Sequence, residues 1–132
     1  MSTPGSKRIL IVEEHDFLRQ ALRRWLETMF PECQVIEATN GQQAMVTAEA
    51  SLPDIILLDI YLSGMSGLET RACLKAILPT TPIVVLTGYE TEAQYVQALN
   101  NETGIYVSKD RTTELRSTLA GLLSYQNNPV AH

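Results

Sequence analysis

Short apolar runs rich in β-branched residues recur along the chain: RILIVE at 8–13, CQVIEA at 33–38, DIILL at 54–58, PIVVL at 82–86 and GIYV at 104–107. Each has strand length, and each is apolar almost throughout, the pattern of a strand covered on both faces. Helical period fills the gaps between them. Phe17, Leu18, Ala21, Leu22, Trp25, Leu26 and Met29 form the clearest apolar stripe, and Pro31 closes that helix. Asn40 with Gln43 resembles a capping box opening a helix through 51, and Ser66 with Glu69 opens another to 78. A shorter helix is predicted over 91–100, with Ala93, Val96 and Leu99 as a thin apolar face. A last helix spans 111–125, with Leu115, Leu119, Leu122 and Leu123 on one side.

Strictly alternating strands and helices imply parallel pairing through right-handed crossovers. The predicted fold is therefore a doubly wound, three-layer α/β domain with a five-stranded parallel sheet in the flavodoxin-like order 2-1-3-4-5. In such sheets the site lies beyond the carboxyl ends of the strands, where the order reverses between the first and the third.

A chain of 132 residues fits one compact domain, here placed at 8–125, with a loosely held start at 1–7 and a polar tail or linker start at 126–132. No apolar run approaches the roughly 20 residues that cross a bilayer, and no signal-peptide segment follows the N-terminus, so a soluble, cytoplasmic protein is expected. The net charge is −5, and the ten Lys and Arg form no basic stripe, which argues against direct nucleic-acid contact. Cys33 and Cys73 read as small buried hydrophobes rather than a disulfide or metal ligands.

At the carboxyl rim the order of elements changes the picture. The first strand ends in Glu13-Glu14, the third in Asp59 and the fourth in Thr87-Gly88, while Ser108-Lys109-Asp110 follows the fifth. Any one of these residues alone reads as a solvated loop polar. Together they bring three carboxylates, a hydroxyl and an ammonium to one edge. Clustered carboxylates repel unless a cation joins them, and hard oxygen donors suit Mg²⁺. His15 reads as a loop polar beside the site. SGMSG at 63–67 lacks a dinucleotide fingerprint and reads as a turn before a capped helix.

The motifs ILIVEEH, DIILLDIYLSGMSGLE, PIVVLTG and IYVSKD, in this order and spacing, closely resemble the receiver (CheY-like) domain of two-component response regulators over residues 8–125. His15 and GLET look most like receivers that precede a helix-turn-helix DNA-binding domain. The resemblance implies that Asp59 accepts a phosphoryl group from a sensor histidine kinase or histidine phosphotransfer protein. It implies Mg²⁺ (or Mn²⁺) held by Glu13, Glu14, Asp59 and the backbone carbonyl of Tyr61. Lys109, Thr87 and the backbone at Ile60 and Gly88 would bind phosphoryl oxygens. Thr87 and Tyr106 would form the switch, altering the face of the fourth helix, fifth strand and fifth helix, where Tyr95, Val96 and Leu99 suit a partner or a phosphorylation-dependent homodimer. Such a protein is no enzyme beyond its own phosphotransfer and dephosphorylation, and its output is a regulatory one such as transcription.

Two positions depart from the family pattern. Glu14 stands where a shorter Asp is usual, and near-octahedral Mg²⁺ tolerates the added methylene poorly. Ser63 stands where Pro is common, which should loosen the loop. The alternative is therefore a receiver-like interaction module independent of phosphorylation. An aspartate-nucleophile phosphatase would want a second acid at Tyr61, and a flavodoxin would not place Glu13-Glu14 in its phosphate loop.

Overall fold

The computed structural model describes residues 6–88 and 104–126. Five strands, β1 (Arg8–Val12), β2 (Gln34–Ala38), β3 (Ile55–Asp59), β4 (Ile83–Thr87) and β5 (Ile105–Ser108), form one parallel sheet in the order β2-β1-β3-β4-β5. The helices among the described residues are α1 (Asp16–Met29), α2 (Gly41–Ser51), α3 (Gly67–Ile77) and α4 (Thr112–Gln126). The last of these is the helix expected over 111–125. The helix expected over 91–100, with Tyr95, Val96 and Leu99, lies outside the described residues, as do 1–5 and 127–132.

Period-2 alternation sends successive strand residues to opposite layers. Ile9, Ile11, Ile55, Leu57, Val84, Leu86 and Val107 meet Leu26 and Phe30 at α1 and Leu115, Leu119 and Leu123 of α4. Leu10, Val12, Ile56, Leu58, Ile83 and Val85 meet Ala44 and Ala48 of α2 and Leu74 of α3. Small alanines on α2 bring that helix close to the sheet. Tyr106 packs against this second layer, half-buried.

Three strands sit one residue later than their apolar runs suggest. Asp59, Thr87 and Ser108 are the last strand residues, and the ladder continues through them, with Asp59 opposite Leu86 and Thr87 opposite Ser108. A polar residue can close a buried strand because the pairing is between backbones and the side chain emerges at the rim.

The α1 stripe is corrected at its first turn. Phe17 is 80% exposed, and Leu18 and Ala21 are exposed too. Only Leu26 is buried outright, with Leu22, Trp25 and Met29 half-buried against the core. The inward position three residues before Leu22 is taken by Arg19, whose guanidinium binds Glu37 of β2 at 2.9 Å and Asp16 at 2.6 Å. The Ser66–Glu69 capping box is present in full. At α2, Asn40 caps the Gln43 amide, but the Gln43 side chain accepts from the amide and hydroxyl of Thr39 rather than returning to Asn40, so the box is only half made. Cys33 and Cys73 are free and half-buried.

Leu52 ends α2 in the left-handed conformation, φ 49° and ψ 65°, with its side chain 64% exposed. A branched residue there carries backbone strain with little burial to offset it. Leu52→Gly is expected to raise stability by about 0.5–1 kcal/mol in urea unfolding, whereas a loss would show that the Leu52 side chain packs more than its exposure indicates.

Candidate functional site

The carboxyl ends of β1 and β3 are neighbours at the point where the strand order reverses, and the loop after β5 reaches over them. Glu13 follows β1 and is 3% exposed; Asp59 closes β3 and is 2% exposed. The Lys109 Nζ stands 3.1 Å from Asp59 Oδ1 and 3.4 Å from Glu13 Oε1, so one ammonium serves two buried carboxylates. Asp59 Oδ1 also accepts from the Tyr61 amide at 3.0 Å, and Glu13 Oε2 accepts from the His15 amide at 3.1 Å. The Lys109 amide donates to the Thr87 carbonyl at 2.7 Å, which fixes the loop that carries the lysine.

Burial pushes the Asp59 carboxyl up to about 7, the nearby Glu13 carboxylate adds to the rise, and Lys109 only partly opposes it. The pair therefore holds more negative charge than one lysine neutralises. Hard oxygen donors with surplus charge are the chemistry that a divalent cation relieves, so Glu13 and Asp59 fit the metal implied above.

Glu14 does not join them. It is exposed, and its Oε1 accepts both from Ser63 Oγ at 2.6 Å and from the Ser63 amide at 2.8 Å. These two bonds, the hydroxyl's first, hold its carboxyl below the ordinary range. The expected convergence of three carboxylates is thus two, and among the described residues no group of three metal-ligating side chains is assembled. The reason is competition: a side chain one methylene longer than Asp reaches a pair of donors across the rim.

A second correction concerns the backbone. The Ile60 amide donates to the Leu86 carbonyl at 3.0 Å, continuing the β3–β4 ladder, so it is engaged there rather than directed at the Asp59 carboxylate. The amide directed at the Asp59 carboxylate is that of Tyr61. Thr87 is fully buried at the end of β4, and Gly88 follows it half-buried. The Tyr106 hydroxyl is buried with no hydrogen-bond partner among the described residues, its ring lying against Gly104.

Arg19 escaped the sequence reading. Its Nη1 donates to the Glu13 carbonyl at 2.9 Å while Nε and Nη2 hold Glu37 and Asp16, so α1, β2 and the site's first acid are tied by one side chain. Arg23 adds to this cluster through Glu37 and Glu27. An Arg interrupting an apolar stripe at its inward position was the available signal.

A doubly wound sheet with two acids and a lysine at its switch point defines an α/β domain built around a strand-end carboxylate. A model of the response regulator receiver domain matches residues 9–120, and the chain belongs to that family. It is 36% identical over 115 residues to the nitrate/nitrite response regulator protein NarL of Escherichia coli K12, covering 86% of this chain and 53% of that protein. It is 35% identical over 107 residues to the transcriptional regulatory protein YdfI of Bacillus subtilis, covering 81% and 50%. The signal receiver domain of a signal transduction histidine kinase from Syntrophus aciditrophicus superposes with a TM-score of 0.79 at 25% identity, covering 96% of this chain and 97% of that one. The chain spans about half the length of these curated relatives.

Receiver domains are signalling proteins of two-component systems, not enzymes in the usual sense. They are generally Mg²⁺-dependent, and they work with histidine kinases or phosphotransfer proteins. Among the described residues no helix is long and apolar enough to cross a membrane.

Proposed function

We propose that Asp59 is the phosphoacceptor of this receiver domain and that its phosphorylation controls an output. One observation carries the reading: a strand-end carboxylate, buried and desolvated beside a second acid, with a lysine ammonium 3.1 Å from Oδ1. A carboxylate so placed is poised for a reaction that adds charge, provided cations are there to meet it.

A carboxylate oxygen of Asp59 attacks phosphorus. The bond from phosphorus to the donor's imidazole nitrogen breaks, the electron pair leaves with that nitrogen, and an acyl phosphate remains. Water later attacks the same phosphorus, releasing inorganic phosphate and restoring the carboxylate, so transfer onto the chain and autodephosphorylation share one site. Glu13, Asp59 and the Tyr61 carbonyl would hold Mg²⁺ or Mn²⁺, with Glu14 as a further candidate, and the cation supplies charge neutralisation for the transferring group. Lys109 neutralises a phosphoryl oxygen, and the Thr87 hydroxyl and the Tyr61 and Gly88 amides donate to others.

Movement of Thr87 toward the phosphoryl group would alter the space open to Tyr106, whose hydroxyl lacks a partner among the described residues. The change would be read out on the face of β5, α4 and the helix expected over 91–100, by a partner or by a second copy. Similarity to the transcriptional regulatory protein YdfI, of which this chain covers 50%, supports transcription as the output, through a domain beyond the receiver. Residues 8–125 form the receiver in this reading, and a cytoplasmic location follows from a kinase partner.

The test is intact mass after incubation with a small acyl-phosphate donor, with and without Mg²⁺. A gain of one phosphoryl group that needs Mg²⁺ and vanishes in Asp59→Asn is expected. An unchanged mass under all conditions would leave the interaction module that works without phosphorylation.

A further inference from the structure

Glu14 and Ser63, which both depart from the pattern that the receiver resemblance implies, touch each other. The Ser63 amide and hydroxyl both donate to Glu14 Oε1, at 2.8 Å and 2.6 Å, joining the loop after β1 to the loop between β3 and α3. A proline at 63 has neither an N–H nor a hydroxyl and could make neither bond. An aspartate at 14 is one methylene shorter. The two departures are therefore complementary: the serine supplies the donors and the glutamate supplies the reach.

We propose that Glu14 and Ser63 form a clasp that competes with the divalent cation for the Glu14 carboxylate, so that cation binding and release of the 60–66 loop are coupled. The inference rests on the reading of Glu13, Asp59 and Tyr61 as the cation site. The Ser63 donors both hold Oε1. With its carboxylate turned to them, Glu14 does not join Glu13 and Asp59 in a group of three ligating side chains among the described residues, so ligation by Glu14 requires the clasp to open. Coupling of this kind is reciprocal: whatever opens the clasp tightens the cation, and the cation loosens the clasp. The loop concerned also bears the Tyr61 amide on Asp59 and runs to the Ser66 cap of α3, so its release reaches both the phosphoacceptor and a helix terminus. Ser63 is thus a positioning residue that acts through Glu14.

Calorimetric titration with Mg²⁺ alone, on the full chain, tests this with Ser63→Ala, Ser63→Pro, Glu14→Asp and Glu14→Asp/Ser63→Ala. Ser63→Ala should tighten Mg²⁺ binding by roughly three- to tenfold, the range that the net contribution of one ordinary solvent-exposed hydrogen bond allows. In the Glu14→Asp background the same substitution should change nothing, because there is no clasp to open. Amide exchange in the 60–66 loop should speed up on Mg²⁺ addition in the parent and not in Ser63→Pro. Equal effects in both backgrounds, no effect in either, or weaker binding in Ser63→Ala would overturn the proposal; the last would mean that Ser63 presents Glu14 to the cation. A chain that takes up phosphate with Mg²⁺ yet lacks the background dependence loses this inference alone, whereas one that binds no Mg²⁺ in any variant loses the cation reading with it.

Discussion

In the presence of a chelator at about pH 8, Asp59→Asn is expected to be more stable than the parent by about 2 kcal/mol, an advantage that fades as the pH falls toward 4. The Asp59 carboxyl rises from an ordinary value of 3.8 to about 7 on folding, through burial first and Glu13 second. Above about 7 the group is charged in both states, and the folded protein bears the whole cost of a buried carboxylate facing another. Below 3.8 it is protonated in both, and the cost vanishes. Between these values the folded state binds the extra proton, so this group makes the parent lose stability as pH rises. The amide variant has no proton to lose, and Lys109 keeps Glu13 at 3.4 Å as its partner. Urea unfolding across a pH series measures the difference, and Mg²⁺ should narrow it. Parallel pH profiles for parent and variant would mean that neither burial nor Glu13 raises the Asp59 carboxyl on folding.

Gly67→Ala is expected to cost about 3 kcal/mol and to cut phosphoryl uptake by roughly tenfold or more. Gly67 is the first residue of α3, and a Cβ there would lie 2.5 Å from Ile60 Cα and 2.6 Å from the carbonyl oxygens of both Asp59 and Ile60. Every one of these neighbours is backbone, so no side chain can swing away. The helix must retreat or the end of β3 must bend, and either moves the carboxylate relative to Lys109. Gly121→Ala is the control, since a Cβ on that exposed helical position meets nothing within 4 Å. Denaturant midpoints together with phosphorylation rates decide the matter. A Gly67→Ala protein as stable and as readily phosphorylated as Gly121→Ala would show that α3 is not held against the phosphoacceptor loop.

The sequence by itself determined the kind and order of the elements, the sheet order and the rim on which Glu13, Asp59, Thr87 and Lys109 stand. These follow from local and periodic causes. Apolar runs covered on both faces make parallel strands, alternation forces crossovers, and Ser66 with Glu69 caps α3 through residues three apart. Tertiary structure alone decided where individual polar groups point. Glu14 turns to Ser63 rather than to Asp59, the Ile60 amide stays in the ladder while that of Tyr61 faces the carboxylate, and Arg19 displaces the apolar first turn of α1 by reaching Glu37. Each is settled by competition between partners many residues apart. A pattern along the chain specifies which face a residue occupies, but the distance between two side chains on that face exists only once the layers have packed.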